Sequence, residues 1–216
     1  MGADPGALWA IVSGCVDRAD THYCACPAFA RSCCHDGATP NDAVVWAVTD
    51  DFVAIRDMLM CGCPPDFVAG LALPRARVSG IEDPRRPDAI WPFAWQVARG
   101  RIAEELEIGL AINPKRLRTQ DQMHVRMLRL TPGARAWLDA APPAPVPGLV
   151  RVDLPTLDRV FTTAAARVGA ATMGDHGILV ARSKSSGWVA VITDETSPQA
   201  FTQNHCRPPR DGRDTS

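Results

Sequence analysis

From residue 122 to residue 128 the chain alternates between two kinds of side chain with the period of a β-strand. Met123, Val125 and Met127 project to one side, and Gln122, His124 and Arg126 to the other. Such a segment is stable when its apolar face lies on a core, and its opposite face then carries an amide, an imidazole and a guanidinium in a row. Other runs repeat the strand signal. Residues 43 to 48, 67 to 73 (ended by Pro74) and 109 to 112 are apolar or β-branched, and residues 177 to 181 and 188 to 193 read as a hairpin closed by Lys184-Ser185-Ser186-Gly187. Helical spacing occurs at Leu8, Trp9, Ile11, Val12 and Val16. It recurs from 91 to 106 through Phe93, Trp95, Val97, Ala98, Ile102 and Leu106, with Pro92 tolerated in the first turn, and again from 157 to 168.

Residues 50 to 65, with Ile55, Met58 and Leu59 before the Cys61-Gly62-Cys63-Pro64-Pro65 stop, read as a short amphipathic insertion. Residues 83 to 87 form a loop, 113 to 120 a polar connection, and the four prolines of residues 140 to 148 a stiff surface connection. Strands outnumber helices and follow one another closely, so the expected class is α+β, a mainly antiparallel sheet flanked by helices. The chain reads as a single domain over residues 1–207 with a disordered polar tail at 208–216.

The 216 residues carry 23 Lys and Arg against 24 Asp and Glu, a net charge of −1 that offers no global attraction to nucleic acid. Apolar residues make up 46% and charged residues 22%, the balance of a chain that folds by itself. No apolar run approaches the ~20 residues that cross a bilayer. Residues 1 to 6 lack the basic and apolar regions of a signal peptide, and Gly6 fails the myristoylation pattern. The expectation is a cytoplasmic protein with a small-molecule substrate, no nucleic-acid partner, no stable membrane insertion and a possible homodimer.

The cysteines leave three readings open. Cys24-x-Cys26, Cys33-Cys34-His35 and Cys61-x-Cys63 suggest zinc, although one-residue spacings are not those of common structural sites. Cys15 and Cys24, separated by a polar turn, suit a disulfide. Buried free thiols are the third reading.

Asn113, Thr119-Gln120 and Gln122-x-His124-x-Arg126 stand at a spacing that resembles an Asn, a turn, Thr-Gln and a His-x-His-x-His strand in the histidine-triad (HIT-like) proteins. Further segments are similar to those of the CDP-diacylglycerol pyrophosphatase family within that group. They are Ala7-Leu-Trp-x-Ile-Val12 with Cys15-Val, Leu73-Pro74 with Gly80-Ile-Glu-x-Pro84, the helix start at Trp91, Gly109-Leu-Ala-Ile-Asn113, Met173-Gly-x-x-Gly177 and Asn204-His-Cys206. The resemblance runs from about residue 7 to 207 and implies a HIT-like fold. It also implies a role for His124 as the nucleophile that attacks a phosphorus of a pyrophosphate, forming a phosphohistidine that water hydrolyses. Gln122 and Arg126 occupy the places of the flanking histidines, and Leu117 stands where a turn glycine is usual.

Because those flanking histidines, the turn glycine and a lipid-enzyme anchor are not read in the chain, the leading expectation is a scaffold reused as a small-molecule enzyme of bacterial specialised metabolism. The expected reaction is an acid/base-catalysed condensation or cyclisation, for example of Pictet–Spengler type. His124 would act as general acid or base and Arg126 would stabilise a carboxylate or developing anion. The alternative is a pyrophosphohydrolase or nucleotidyl transferase acting on a CDP-alcohol through a phosphohistidine at His124. In it Gln122, Arg126 and Gln120 hold phosphate oxygens, Asn113 positions a phosphate or sugar, and Thr119 and Arg118 complete the binding set. A catalytically inactive binding module is a second alternative. None of these calls for a metal or a cofactor. Arg116, Arg118, Arg126 and Arg129 crowd one stretch as a candidate anion pocket, and Asp175-His176 would join the site if the neighbouring glycine segment packs beside the strand.

Overall fold

The structure, a computed structural model, describes residues 4–16, 45–57, 60, 63–64, 66–140, 146–185, 187–194 and 196–206. Among these residues eight strands form one sheet: β1 (Val45–Val48), β2 (Phe52–Arg56), β3 (Ala69–Pro74), β4 (Ile108–Ile112), β5 (Val125–Arg129), β6 (Leu149–Leu154), β7 (Gly177–Arg182) and β8 (Trp188–Thr193). Their spatial order is β1-β2-β3-β5-β4-β7-β8-β6, and every neighbouring pair is antiparallel. Four helices accompany them: α1 (Ala7–Gly14), α2 (Ile90–Arg99), α3 (Pro132–Asp139) and α4 (Val160–Val168). The expected α+β class with an antiparallel sheet is what the chain forms.

The two faces of the sheet are covered differently. Trp91, Trp95 and Ala98 of α2 and Val160, Phe161 and Ala164 of α4 join Ala72, Leu110, Val125, Met127, Ile178 and Val180 in the main core. Each large apolar side chain buried there contributes about 1.5–3 kcal/mol. Asp88, just before α2, accepts hydrogen bonds from Phe161 N (2.6 Å) and Thr162 N (3.2 Å), satisfying two otherwise orphaned donors at the start of α4. On the opposite face Leu8, Ile11 and Val12 of α1 pack on Val53, Ile55, Leu71 and Leu73. Leu138 of α3, with Trp137 and Phe201, covers Leu179, Val189 and Val191. A third small cluster on that face, Phe67, Ala69 and Leu128, packs against Cys63 and Cys206.

Several expectations are corrected here. Residues 50 to 65 are not an amphipathic insertion, because Phe52–Arg56 is strand β2. Ala54 faces the main core while Val53 and Ile55 face α1, so burial on both sides erases the polar alternation that would announce a strand. The helix starting near residue 91 ends at Arg99 before Gly100, yet Ile102 is still fully buried beyond it. Helical spacing thus outlasts the helix. Helix α3 and edge strand β6 were not anticipated. Thr131 caps α3 by accepting from Ala134 N (3.1 Å), with Pro132 in the first turn. Residues 17 to 41, most of the proline-rich 140 to 148 connection and the 208–216 tail lie outside the described residues.

Among the described residues no cysteine is free, which corrects the free-thiol reading for them. Cys63 is bonded to Cys206, 143 residues away, and Cys15 is also disulfide-bonded. Cys24, the partner expected for Cys15, lies outside the described residues. The bond at Cys63 removes that thiol from the Cys61-x-Cys63 zinc reading. The described residues contain no group of three or more metal-binding side chains and no helix long and apolar enough to cross a membrane.

Because the Cys63–Cys206 bond closes so long a loop, the Cys63→Ser, Cys206→Ser double variant should lose about 2–5 kcal/mol of unfolding free energy in urea titrations. An unchanged midpoint would show that the cluster around Leu128 holds the late segment without the bond.

Candidate functional site

Strand β5 is paired on both edges, to β3 and β4, and the polar row of the sequence runs into it. Val125 and Met127 enter the main core, so Arg126, flanked across the strands by Leu71 and Ala111, lies on the opposite face. Upstream, the chain is stitched to the segment that follows β3. Gln122 is fully buried, and its Nε2 donates to the carbonyls of Pro74 (2.8 Å) and Ala76 (2.9 Å). Met123 N donates to Val78 O (2.7 Å).

His124 lies half-buried just before the strand, with Nδ1 2.9 Å from the carbonyl oxygen of Gln122. A carbonyl only accepts, so Nδ1 carries the hydrogen and Nε2 carries the lone pair. Burial lowers its pKa from 6.5 to about 4, helped by the positive charge of Arg126 and, to a lesser degree, of Arg118. The Gln122 carbonyl and Asp57 act in the opposite direction. The group is therefore a neutral imidazole with one oriented lone pair across the physiological range.

Arg126 pairs through one terminal nitrogen with Asp57 Oδ2 at 2.8 Å. Asp57 is buried at the end of β2, and removing either member of such a pair would strand a charge in a poorly solvated place.

A small cleft opens beside the imidazole, lined by Gly80, Ile112, Asn113, Arg118, Gln122 and His124 among others. Its volume is about 10 Å³, room for about one water-sized group, so a larger ligand would rest at its mouth. Asn113 follows β4. Its Oδ1 accepts from Ser197 Oγ (3.0 Å), and among the described residues its amide nitrogen has no hydrogen-bond partner. Arg118 pairs with Glu82 and, at 3.4 Å, with Asp121. Gly80 makes room for this guanidinium, since a Cβ there would lie 2.1 Å from Arg118 Nη1. The Gly80 loop is held by the buried Asp83 carboxylate, which accepts from Ser79 N (3.1 Å), Arg85 N (3.0 Å) and the Arg85 guanidinium (2.8 Å). The Arg85 bonds hold Asp83 well below the usual carboxylate range.

The structure thus brings His124, Arg118, Asn113 and Gln122 to one cleft, with Arg126 beside it on the strand, and gives several expected site residues other work. Both hydrogens of the Gln122 amide are committed to carbonyls, leaving none for a phosphate oxygen. Gln120 lines the cleft but pins the N-terminal turn: its Oε1 accepts from Leu8 N (3.1 Å) and its Nε2 donates to Asp4 O (2.9 Å). Thr119 is exposed, with no side-chain hydrogen bond among the described residues. The four arginines form no common anion pocket, because Arg129 pairs with Glu104 and Glu107 (2.9 and 2.5 Å) and Arg116 donates to Asp194 O (2.5 Å). Leu117 sits in a 3-10 turn, and no described residue other than glycine has a positive φ, so the turn makes no demand for glycine there. The segment before His176 does pack near the site: a Cβ on Gly174 would be 3.1 Å from Glu82 and 3.9 Å from Lys115. Sequence reading missed Asp57, Glu82 and Ser197. Of the three, only Glu82 carried a signal, inside the Gly80-Ile-Glu-x-Pro84 segment.

Comparison with known proteins gives this site a context. Residues 3–147, about two thirds of the chain, match the family model for CDP-diacylglycerol pyrophosphatase. A stretch of 73 residues is 44% identical to a protein of Mycobacterium leprae (strain TN) described as "Probable CDP-diacylglycerol pyrophosphatase". That stretch is 29% of this chain and 27% of the mycobacterial protein, so the chain spans about a quarter of that relative's length. These matches overturn the expectation of a Pictet–Spengler type condensation and favour its pyrophosphohydrolase alternative.

If the lone pair of His124 does chemistry, kcat/KM should stay level as the pH is lowered through 6.5 and fall only near about 4, where the buried imidazole takes up its proton. Stability moves in the same direction. Unfolded His124 binds a proton below about 6.5 and the folded group does not, so this contribution is complete above 6.5 and shrinks as pH falls towards 4. An acid limb near 6.5 in the rate profile would show that the imidazole is solvated instead.

Proposed function

We propose, since the chain belongs to the CDP-diacylglycerol pyrophosphatase family, that it hydrolyses the phosphoanhydride of a CDP-linked lipid on a HIT-like scaffold, with His124 Nε2 as the nucleophile. The observation that carries this reading is the hydrogen bond from His124 Nδ1 to the Gln122 carbonyl, which leaves Nε2 unprotonated and aimed away from its own backbone. Attack by that lone pair on one phosphorus forms an N–P bond as the bridging P–O bond breaks, and the departing phosphate monoester keeps the electron pair. Water then attacks the same phosphorus, the N–P pair returns to Nε2, and a proton is released to the product phosphate or to solvent.

The surrounding residues suit an anionic reaction centre. Asn113 lines the cleft, and its amide nitrogen can donate to a non-bridging oxygen. Arg118 offers a guanidinium whose pairing with Glu82 fixes its place beside the cleft. Arg126 adds a cation near the nucleophile, assists burial in keeping the imidazole neutral and is itself held by Asp57. The disulfides at Cys63, Cys206 and Cys15 support an oxidising compartment outside the cytoplasm rather than the cytoplasmic one expected from the sequence.

Two results test this function. Wild-type protein given CDP-diacylglycerol in mixed micelles should release CMP, and His124→Ala should reduce that rate by ~10⁴-fold or more, with an acid-labile phosphoryl adduct on wild type alone. Turnover that survives in His124→Ala would remove the histidine nucleophile, and no turnover by wild type would remove the reaction. Gly80→Ala, whose new methyl must displace Arg118, should lower kcat/KM by about 10-fold; an unchanged value would take Arg118 out of the binding set.

A further inference from the structure

We propose that the cleft beside His124 is a donor-selecting subsite, in which Gln122 Oε1 accepts a hydrogen bond from a neutral hydroxyl or amino group on the nucleoside half of the substrate. The inference rests on the CDP-linked substrate proposed above and adds a basis for choosing among nucleosides.

The orientation of the Gln122 amide is settled by its neighbours. Its nitrogen faces two carbonyl oxygens, those of Pro74 and Ala76, and the reversed amide would set oxygen against oxygen at both. Oε1 must therefore point the other way, and among the described residues it is buried with no hydrogen-bond partner. The side chain as a whole is fully buried, so bulk solvent does not satisfy that oxygen. Leaving a buried acceptor unmade costs about 1–3 kcal/mol. A hydrogen donor on a bound ligand would recover it.

The chemistry of that donor is narrow. An ionised phosphate oxygen has no hydrogen to give and would be repelled, so the phosphoryl group belongs at the mouth with Asn113 and Arg118. A cation is disfavoured because Arg118 lines the same cleft and Arg126 stands near. What remains is a neutral O–H or N–H on a small group, which matches a volume of about 10 Å³, about that of one water. A ribose hydroxyl and the cytosine amino group both qualify. Gln122 and His124 line one cleft and are joined through the Gln122 carbonyl, so a donor seated on Oε1 would also fix where the phosphoanhydride lies against Nε2. A site built to pair a substrate donor rejects the analogue that lacks it, because the acceptor is then buried alone.

The test is a cycle of substrates against variants. kcat/KM is measured for CDP-diacylglycerol, its UDP counterpart, and its 2′-deoxy and 3′-deoxy counterparts, with wild type, Gln122→Met and Gln122→Lys. The lysine variant keeps a donor for the Pro74 and Ala76 carbonyls while removing the acceptor. Ratios between substrates do not depend on how much of a variant is folded, so a structural role of Gln122 leaves them unmoved. Wild type should disfavour one analogue by about 10- to 100-fold, and that ratio should fall to within about threefold in an active variant. Loss with the UDP compound identifies the amino group, and loss with a deoxy compound identifies that hydroxyl. Equal use of all four substrates by wild type, as when a resident water satisfies Oε1, overturns the proposal, as does discrimination that persists in either variant. If neither variant is active, the wild-type ratios alone decide. Failure of wild type on every compound is the separate outcome that removes the underlying hydrolase reading.

Discussion

The polar row of Gln122, His124 and Arg126 leads into a central strand paired along both edges and has little access to water, so most of its hydrogen-bonding groups are taken up inside the protein. The amide of Gln122 takes the carbonyls of Pro74 and Ala76, the imidazole of His124 takes the carbonyl of Gln122, and the guanidinium of Arg126 takes the carboxylate of Asp57. An unmade buried hydrogen bond costs about 1–3 kcal/mol, and a stranded buried charge about 3–5 kcal/mol. Those penalties fix the path of the chain around the row. The segment after β3 must pass over Gln122, and the corner after β2 must bring Asp57 to Arg126. The same contacts that keep the strand stable therefore build the walls of the cleft.

The charges near His124 are arranged in pairs. Arg126 is balanced by Asp57 and Arg118 by Glu82, so the site presents oriented guanidinium groups without a large uncompensated positive potential. Burial and the nearer cation together suppress protonation of the imidazole, which suits a lone-pair nucleophile far better than a general acid. In the proposed hydrolysis this arrangement sets one permanent cation, Arg126, near a neutral His124.

The strand after His124, which begins at Val125 rather than at Gln122 as expected, the antiparallel sheet, helices α2 and α4 and the β7–β8 hairpin were legible because their periodicity survives in local sequence. Strand β2 was not, because Val53 and Ile55 face α1 while Ala54 faces the main core, and burial on both faces leaves no alternation to read. Helix α2 was read too long because Ile102 stays buried after the helix has ended. In the site, His124, Asn113 and Arg118 were named from the sequence, whereas Gln120 was assigned to phosphate and instead ties down residues 4 to 8.

The sequence by itself determined that an apolar–polar alternation runs through Gln122, His124 and Arg126 into β5, where it sets Arg126 opposite Val125 and Met127. Only the tertiary structure decided what each of them does. Asp57 lies 69 residues from Arg126 and Pro74 lies 48 from Gln122, separations at which local pattern carries no information. A side chain's hydrogens are spent on whichever groups the fold brings within about 3 Å. Which atom of Gln122 is left over, and which nitrogen of His124 keeps its lone pair, are set by those distant partners.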